Sequence, residues 1–288
     1  MQLNASQIEL IKKALDEDIS DPKGIIPRGD HSSLAAIPKA KEGRAQLLVK
    51  ADGVLAGVEV AKTVCTLVDE NLLFEPVLED GALVKKGSVA FRVYGEVKSI
   101  LRAERVLLNF MQRMSGIATH TKKFVDAVRH TSCKILDTRK TTPALRFFEK
   151  WAVRIGGGHN HRYGLYDMIL LKDNHIDFCG GVEQAIDAAV KYLQRHNLNL
   201  KIEIEARTMD DIKAILKKGN VHRIMFDNFS PEEAAEAVSL VNQQYETEIS
   251  GGINLENVVA YAETGVDYIS VGALTHSSPA LDLSLKAF

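Results

Sequence analysis

The second half of the chain alternates short apolar runs with longer stretches of helical periodicity. Six β-rich runs follow residue 115: KILDTRK (134–140), DMILLKD (167–173), KIEIEA (201–206), RIMFDN (223–228), TEISGG (247–252) and DYISVGA (267–273). Between the second and third runs, apolar residues recur with the helical period at Val182, Ala185, Ile186, Ala189, Val190 and Leu193. Such alternation predicts parallel strands joined by right-handed crossovers. Repeated this often, it predicts a β/α barrel of about six strands.

Residues 1–114 follow a different pattern. The N-terminus has the spacing of an amphipathic helix, and residues 44–70 predict a strand, a turn and a helix. Residues 72–97 predict two or three strands separated by Asp-Gly and Lys-Gly turns. We therefore predict an α/β protein with an N-terminal domain, 1–114, and a barrel domain, 115–288, that meet near an apolar helix at 102–116. The extreme C-terminus is a candidate to pack back on the N-terminal domain.

Composition and cysteine usage narrow the class of protein. Of 288 residues, 45% are hydrophobic and 26% are charged, which excludes a disordered or fibrous chain. Cys65, Cys133 and Cys179 form no CxxC pair, so neither a disulfide framework nor a thiolate zinc site is predicted. The N-terminus lacks the apolar region of a signal peptide, and no apolar run approaches the ~20 residues of a membrane span. We therefore expect a cytoplasmic protein.

Charge is unevenly distributed along the chain. The net charge of −2 predicts neither nucleic-acid binding nor membrane attachment. Residues 101–175, however, contain 14 lysines and arginines against 6 acidic residues, a net charge of +8. Such a basic segment attracts an anionic ligand, and the alternative is a solvated or interface surface. Nucleic acid is a third option, but the segment lacks the aromatic interleaving and the motifs of proteins that bind it.

Candidate acidic residues lie at the strand ends, where β/α barrels place their active sites. In KIEIEA, the two isoleucines face one way, and Glu203 and Glu205 face the other. The isoleucines should pack outward against helices, which turns the glutamates into the lumen, where buried carboxylates need cations or a metal. The alternative is a half-exposed strand with its glutamates in water. Asp227 lies at the end of the following strand.

Glycines end the last two predicted strands. SGG (250–252) and VGA (271–273) each lead toward a helical stretch. Small residues there let backbone N–H groups approach a phosphate, as in the phosphate site that barrels form after their last two strands. Ordinary tight-turn glycines are the alternative.

A histidine-containing loop, GGGHNHRYG, lies between the first two predicted strands. Its His159 and His161 could form a metal-binding His-x-His pair. A basic clamp for an anion fits its neighbours better, because Arg162 and Lys140 would crowd a metal. Elsewhere, the apolar helix at 102–116 carries a polar stripe that is either solvated or directed at a site or another subunit: Arg102, Arg105, Asn109 and Gln112.

Taken together, these motifs resemble one enzyme family. In order along the chain they are ERVLLNFMQRMSGIAT, DTRKTTPALR, GGGHNHRYGLYD, LLKDNH, EIEA, MFDN, SGGI and YAETGVDYISVGALTHS. They are similar to those of the quinolinate phosphoribosyltransferases, also called nicotinate-nucleotide pyrophosphorylases (carboxylating). The similarity runs over nearly the whole chain, although the family's short Gly-Asp-Ile-Thr pattern stands here as Gly-Asp-His-Ser after an apparent insertion near residues 22–28.

The resemblance implies a glycosyltransferase of NAD biosynthesis. Members of the family convert quinolinate and phosphoribosyl pyrophosphate, with magnesium, into nicotinic acid mononucleotide, pyrophosphate and carbon dioxide. The resemblance also implies an N-terminal α/β sandwich and a barrel-like C-terminal domain. It further implies a homodimer, or a higher oligomer, in which Arg105 enters the active site of the neighbouring copy.

The resemblance also implies a role for each candidate residue. The catalytic residues would be Lys140, Lys172, Glu205 and Asp227. The quinolinate carboxylates would be held by Arg105, Arg139, His161 and Arg162. The lysines would bridge toward the ribose or pyrophosphate, and the two acidic residues would bind the ribose hydroxyls and magnesium. The 5′-phosphate would be cradled by Ser250, Gly251, Gly252, Gly272 and Ala273. The substrate-binding set is completed by Thr138 and Val271. Glu203 is either a charge partner of a lumen lysine or a further ligand contact.

The residues alone leave other functions open. A related phosphoribosyltransferase for another pyridine, or for a molybdenum-associated substrate, would not require a second carboxylate on its substrate. A Schiff-base aldolase would use Lys172, activated by a nearby cation. A non-catalytic regulatory dimer would not need the intact set of charged residues.

Overall fold

The computed structural model describes residues 3–37 and 39–288. Met1 and Gln2, at the start of the predicted N-terminal helix, and Pro38 lie outside this described part. The helices are α1 (Ala5–Ile19), α2 (His31–Ala36), α3 (Val58–Val68), α4 (Val97–Ala127), α5 (Arg146–Ile155), α6 (Asp173–Cys179), α7 (Val182–His196), α8 (Met209–Lys218), α9 (Pro231–Val241), α10 (Val258–Ala262) and α11 (Ala273–His276). The strands are β1 (Glu42–Val49), β2 (Gly53–Val54), β3 (Leu73–Pro76), β4 (Leu83–Val84), β5 (Val89–Glu96), β6 (Lys134–Leu136), β7 (Ile169–Leu171), β8 (Ile202–Ala206), β9 (Arg223–Asp227), β10 (Glu246–Ser250), β11 (Tyr268–Ser270) and β12 (Leu283–Ala287). Within these ranges, none of the helices combines the length and the apolar character needed to cross a membrane.

The chain divides into two compact units, and neither is one continuous segment. The first unit comprises Met1–His120, Thr142–Gly156 and Ser278–Phe288. The second comprises Thr121–Thr141 and Gly157–Ser277. These bounds differ from the two contiguous domains predicted, because two later segments fold with the N-terminal one.

The first unit is built on an antiparallel sheet. Counted over the described residues, this sheet has four strands in the order β12-β1-β5-β3. β12 pairs with β1, with Leu285 opposite Leu47, which brings the C-terminal strand into this unit. Helix α5 also belongs to this unit, where it packs on α4: the ring centroid of Phe148 lies 4.9 Å from that of Phe110. Both contacts join residues far apart in the sequence, and of the two only the place of the C-terminal segment was considered from the sequence.

The second unit is built on a parallel sheet. In the part of the chain that the structure describes, six strands lie in the order β6-β11-β10-β9-β8-β7, and neighbouring strands are parallel. Every residue of β8 from Ile202 to Ala206 is buried, so both faces of this strand are covered. The prediction of a barrel-like domain with about six parallel strands and a separate N-terminal α/β domain is therefore confirmed.

Local sequence determines where the crossover helices begin. Ser230 accepts the N–H of Glu233 at the start of α9, and Pro231 occupies the first turn. Thr208 and Asp211 form the equivalent capping box at α8. Each such helix returns the chain to the beginning of the next strand, so the carboxyl ends of the strands meet at one rim.

Candidate active site

The rim formed by the carboxyl ends of the strands encloses a cavity of about 820 Å³. Its lining includes most of the predicted site residues: Thr138, Arg139, Lys140, His161, Arg162, Lys172, Glu205, Asp227, Ser250, Gly251, Gly252, Gly272 and Ala273. Five of the six strands end earlier than the predicted runs, at Leu136, Leu171, Asp227, Ser250 and Ser270. The polar residues that follow them therefore lie in rim loops, which is where active sites of this architecture form.

Two predicted residues are absent from this lining as the described residues form it. Arg105 is exposed on α4, in the part of that helix that belongs to the first unit. Val271 is 1% exposed, and its backbone N–H donates to the carbonyl of Leu136 at 2.9 Å. The sheet already uses the amide of Val271, so the structure gives this residue no means of binding a phosphate.

Sequence reasoning also missed part of the lining. The cavity is further lined by Leu170, Met225, Asn228, Ile253, Ser270 and His276. Asn228 follows Asp227 at a strand end, has a left-handed backbone with φ of 59°, and donates to the Asp227 carboxylate at 3.0 Å. Its strand-end position is the signal that could have identified it. His276 lies at the far end of α11, six positions after β11 ends. A position at a strand end therefore could not have identified it.

A buried carboxylate holds the histidine-containing loop at the edge of β6. Asp137 is 0% exposed and accepts the backbone N–H of His161 at 2.9 Å and the side-chain amide of Asn160. His159 forms a parallel bridge with Leu136, which extends the sheet edge. Among the described residues, His161 lines the cavity and His159 does not. The two histidines therefore do not form the His-x-His metal pair that was considered from the sequence.

The basic side of the cavity consists of Arg139, Lys140, Arg162 and Lys172. Burial, together with the positive charge of Arg139, lowers the pKa of the Arg162 guanidinium. Two arginines that repel each other in a partly buried site favour an anion between them. The geometry therefore supports an anion clamp at this side of the cavity.

The acidic side consists of Glu205 and Asp227. Glu205 is 4% exposed, and its two oxygens accept from the Lys172 ammonium and from the backbone N–H of Asp173, the latter at 3.0 Å. Burial and the negative charge of Glu205 raise the pKa of Asp227. Adjacent carboxylates that destabilise each other are stabilised by a cation, and Mg²⁺ prefers oxygen ligands while keeping several waters. The predicted magnesium ligands thus have the chemistry that such an ion requires.

Glycine permits a close backbone approach at the end of β10. Gly251 has φ of +104°, and a Cβ there would lie 2.1 Å from Oδ1 of Asn228. Gly252 also has a positive φ, of +63°, but its Cβ position is open among the described residues. This strand end does not run directly into a helix, because α10 begins only at Val258. Backbone N–H groups, rather than a helix dipole, are therefore what this part of the rim offers a phosphate.

A second acidic pair lies deeper in the lumen. Glu203 and Glu248 are each 0% exposed, and burial raises the pKa of each to about 7. Nε2 of His161 lies 3.1 Å from Glu203, and Nη1 of Arg223 lies 2.7 Å from Glu248. His161 and the two glutamates place their ligand atoms close enough to hold a metal ion, but Arg223 already supplies a positive charge to the pair. Glu203 thus points inward as predicted, although it is not part of the cavity lining formed by the described residues.

The chain matches two domain families over nearly its whole length. Residues 117–286 match the family described as "Quinolinate phosphoribosyl transferase, C-terminal domain", and residues 30–115 match the corresponding N-terminal domain. The chain belongs to the quinolinate phosphoribosyltransferase family. This confirms the family that the motifs predicted.

Individual relatives agree with this assignment to the quinolinate phosphoribosyltransferases. A protein of Oryza sativa subsp. japonica named nicotinate-nucleotide pyrophosphorylase (carboxylating), chloroplastic, is 46% identical over 96% of this chain and 76% of its own length. Quinolinate phosphoribosyltransferase (decarboxylating) 1b of Nicotiana tabacum is 45% identical over 96% of this chain and 81% of its own. The solved structure of the nicotinate-nucleotide pyrophosphorylase from Francisella tularensis superposes with a TM-score of 0.91 at 36% identity, over 99% of this chain and 98% of that one.

Proposed function

We propose that this chain transfers a phosphoribosyl group from phosphoribosyl pyrophosphate to quinolinate with loss of carbon dioxide, giving nicotinic acid mononucleotide and pyrophosphate for NAD biosynthesis. One observation carries the proposal: a single cavity combines four basic side chains, two carboxylates and a glycine-rich strand end. The basic side chains match the charges of a dicarboxylate and a pyrophosphate. The carboxylates match the positive charge that develops on the ribose. Membership of the family supports the same reaction.

On the quinolinate side, Arg139 and Arg162 would bind the two carboxylates, with His161 beside them. A guanidinium binds a carboxylate through two parallel hydrogen bonds, which orients the ring as well as holding it. A bound carboxylate would also relieve the repulsion from Arg139 that helps to lower the pKa of Arg162. The pyridine nitrogen would thereby be directed toward the ribose.

On the phosphoribosyl side, Lys140 and Lys172 would neutralise the pyrophosphate, with Thr138 beside them. The 5′-phosphate would be held by the backbone of Ser250, Gly251, Gly252, Gly272 and Ala273. Glu205 and Asp227 would bind the ribose hydroxyls and magnesium. A magnesium ion held there would supply charge neutralisation for the departing pyrophosphate.

The charges of these residues suit the two bond-breaking steps. As the bond between ribose C1 and pyrophosphate breaks, the ribose gains oxocarbenium character, which Glu205 and Asp227 stabilise. Lys140 and Lys172 stabilise the leaving pyrophosphate at the same time. The pyridine nitrogen then bonds to C1 and becomes positively charged. That charge stabilises the electron pair left on the ring carbon when the adjacent carboxylate departs as carbon dioxide. A proton from solvent then bonds to that carbon.

The active unit would be a homodimer, or a higher oligomer, in which Arg105 of one copy reaches the cavity of another. Arg105 is exposed on α4, whereas the next residues, Val106, Leu107 and Leu108, are all buried. The side chain therefore extends away from the buried face of α4.

We expect the protein to act in the cytoplasm. Relatives from Oryza sativa and Nicotiana tabacum are named chloroplastic and mitochondrial, so the compartment differs within the family.

The reaction is tested with quinolinate labelled with ¹⁴C at the 2-carboxyl group, phosphoribosyl pyrophosphate and Mg²⁺. We expect one labelled carbon dioxide for each nicotinic acid mononucleotide formed, and no product when either cosubstrate or metal is omitted. Nucleotide formed without release of label would contradict the proposal. Nicotinate in place of quinolinate tests a related phosphoribosyltransferase. No observation favours the aldolase, because Lys172 pairs with the Glu205 carboxylate and not with a cation.

A further inference from the structure

The buried acidic pair deep in the lumen has no part in the reaction as described so far. Glu203 of β8 and Glu248 of β10 project inward from the two strands that flank β9. Because alternate strands of a barrel fill one layer of its interior, these carboxylates belong to one layer, and Glu205 lies one layer nearer the rim. The cavity lining, as formed by the described residues, includes neither Glu203 nor Glu248.

Arg223, at the beginning of β9, closes this layer on the side away from the rim. Its Nη1 lies 2.7 Å from Glu248 and 3.9 Å from Glu203, and its Nη2 lies 3.0 Å from Glu246. The guanidinium also lies over the ring of Tyr268, 3.9 Å from the centroid. A guanidinium held by carboxylates and by a ring face has a fixed orientation, so it keeps the two buried carboxylates in place.

His161 covers the same layer on the side of the cavity. Its side chain is 6% exposed, and Nε2 lies 3.1 Å from Oε2 of Glu203 and 3.5 Å from Oε1 of Glu248. Its Nδ1 accepts the backbone N–H of Arg162 at 2.7 Å. An imidazole whose Nδ1 is an acceptor carries its proton on Nε2, the ring nitrogen that lies 3.1 Å from Glu203. Both ring nitrogens therefore face groups of the protein.

We propose that Glu203 and Glu248 are positioning residues for quinolinate that act through His161. The contacts run from the glutamates to Nε2, and from Nδ1 to the backbone of Arg162, whose guanidinium we assign to a substrate carboxylate. In this arrangement His161 fixes the loop that carries Arg162. The inference rests on the proposed function for the identity of the ligand.

Substitution of Glu203 tests this arrangement by calorimetric binding of quinolinate and, separately, of phosphoribosyl pyrophosphate. Glu203→Leu removes the carboxylate that lies nearer to Nε2, and we expect about tenfold weaker quinolinate binding with phosphoribosyl pyrophosphate binding unchanged within about twofold. Glu203→Gln keeps an oxygen acceptor and should recover most of the loss. Glu246→Gln is the matched control, because Glu246 also pairs with Arg223, whereas it is Glu203 that lies 3.1 Å from Nε2 of His161; it should leave both affinities unchanged.

If Glu203→Leu weakened the binding of both ligands equally, Glu203 would support the whole barrel and not the quinolinate site alone. If quinolinate bound as tightly as before, Glu203 would not act on this site. Either result overturns the proposal. Turnover of quinolinate by the unmodified chain, measured in parallel, tests the proposed function separately.

If the Glu203 variants do not fold, an NMR measurement on the unmodified chain still tests the proposal. The ¹⁵N spectrum of the His161 ring, assigned among nine histidines by comparison with His161→Gln, should show a protonated Nε2 and a bare Nδ1. A proton on Nδ1 overturns the proposal.

Discussion

Gly251→Ala should disrupt the proposed phosphate cradle through a single clash. An alanine Cβ would lie 2.1 Å from Oδ1 of Asn228, whereas ordinary contact begins at 3.4 Å, so the Asn228 side chain, which lines the cavity, must move by about 1.3 Å. The φ of +104° adds backbone strain, of about 1–3 kcal/mol for a residue other than glycine. A displacement of about 1 Å at an active site can reduce the rate ~10²-fold. We therefore expect kcat/KM for phosphoribosyl pyrophosphate to fall by about 10²-fold.

The assay is steady-state turnover with phosphoribosyl pyrophosphate varied, and Gly252→Ala is the matched control. Gly252 also has a positive φ, but no atom of the described residues lies within 4 Å of its Cβ position. Alanine there introduces strain without a clash, and the loss should stay below about tenfold. Asn228→Gly removes the clashing oxygen, so Gly251→Ala should cause a smaller loss in that background than in the unmodified chain. Equal losses for the two alanine variants, or no relief from Asn228→Gly, would refute the clash as the cause.

Four further outcomes are expected. Quinolinate should be used far better than nicotinate, because a missing carboxylate leaves a partly buried arginine unpaired; similar kcat/KM values for the two would contradict a dicarboxylate site. Glu205→Ala and Asp227→Ala should each lose turnover by about 10²-fold or more without a change in Tm, and near-normal turnover at limiting magnesium would show the assigned role to be wrong. Arg105→Ala and Lys140→Ala should each abolish activity, and random subunit exchange between them should restore about a quarter of the sites, since each heterodimer has one intact site. No recovery, with exchange verified independently, would place Arg105 outside the neighbouring copy's site. Burial raises the pKa of Glu248 to about 7 in the folded chain, above the ~4.3 of an unfolded glutamate, so the folded state binds the extra proton. In urea denaturation, the stability that this proton contributes to the free energy of unfolding should therefore fall as pH rises from about 4.5 to about 7. Glu248→Gln should make the free energy of unfolding depend less on pH over that range, and an unchanged pH dependence would contradict the raised pKa of Glu248.

The parallel sheet could be predicted because its elements are set by neighbours in the sequence. The helical period of 182–193 and the cap at Ser230 are local signals, and the structure has helices at both places. The same holds for the inward direction of Glu203 and Glu205, which follows from the alternation of a covered strand. Strand ends then identified most of the cavity, because this architecture brings them to one rim.

The remaining features depend on contacts that no short pattern records. Phe148 packs on Phe110, and this contact across 38 positions draws α5 into the first unit. Glu248 was overlooked because the predicted run began at Thr247 and left out Glu246, which alternates with Glu248 as Glu203 does with Glu205. The role of Glu248 follows from the order of the strands. β10 lies two strands from β8, and this order places the Glu248 carboxylate beside that of Glu203.

The pairing of β12 with β1 has a consequence for the synthesis of the chain. Ala287 lies opposite Ala45, 242 positions earlier. A ribosome releases the residues in order, so the edge of β1 that receives β12 stays open until every strand of the parallel sheet has already emerged. The sheet that is begun first is thus completed last. During that interval the nascent chain presents an unpaired edge, which is a template for pairing with a wrong strand and a site where a chaperone would be of use.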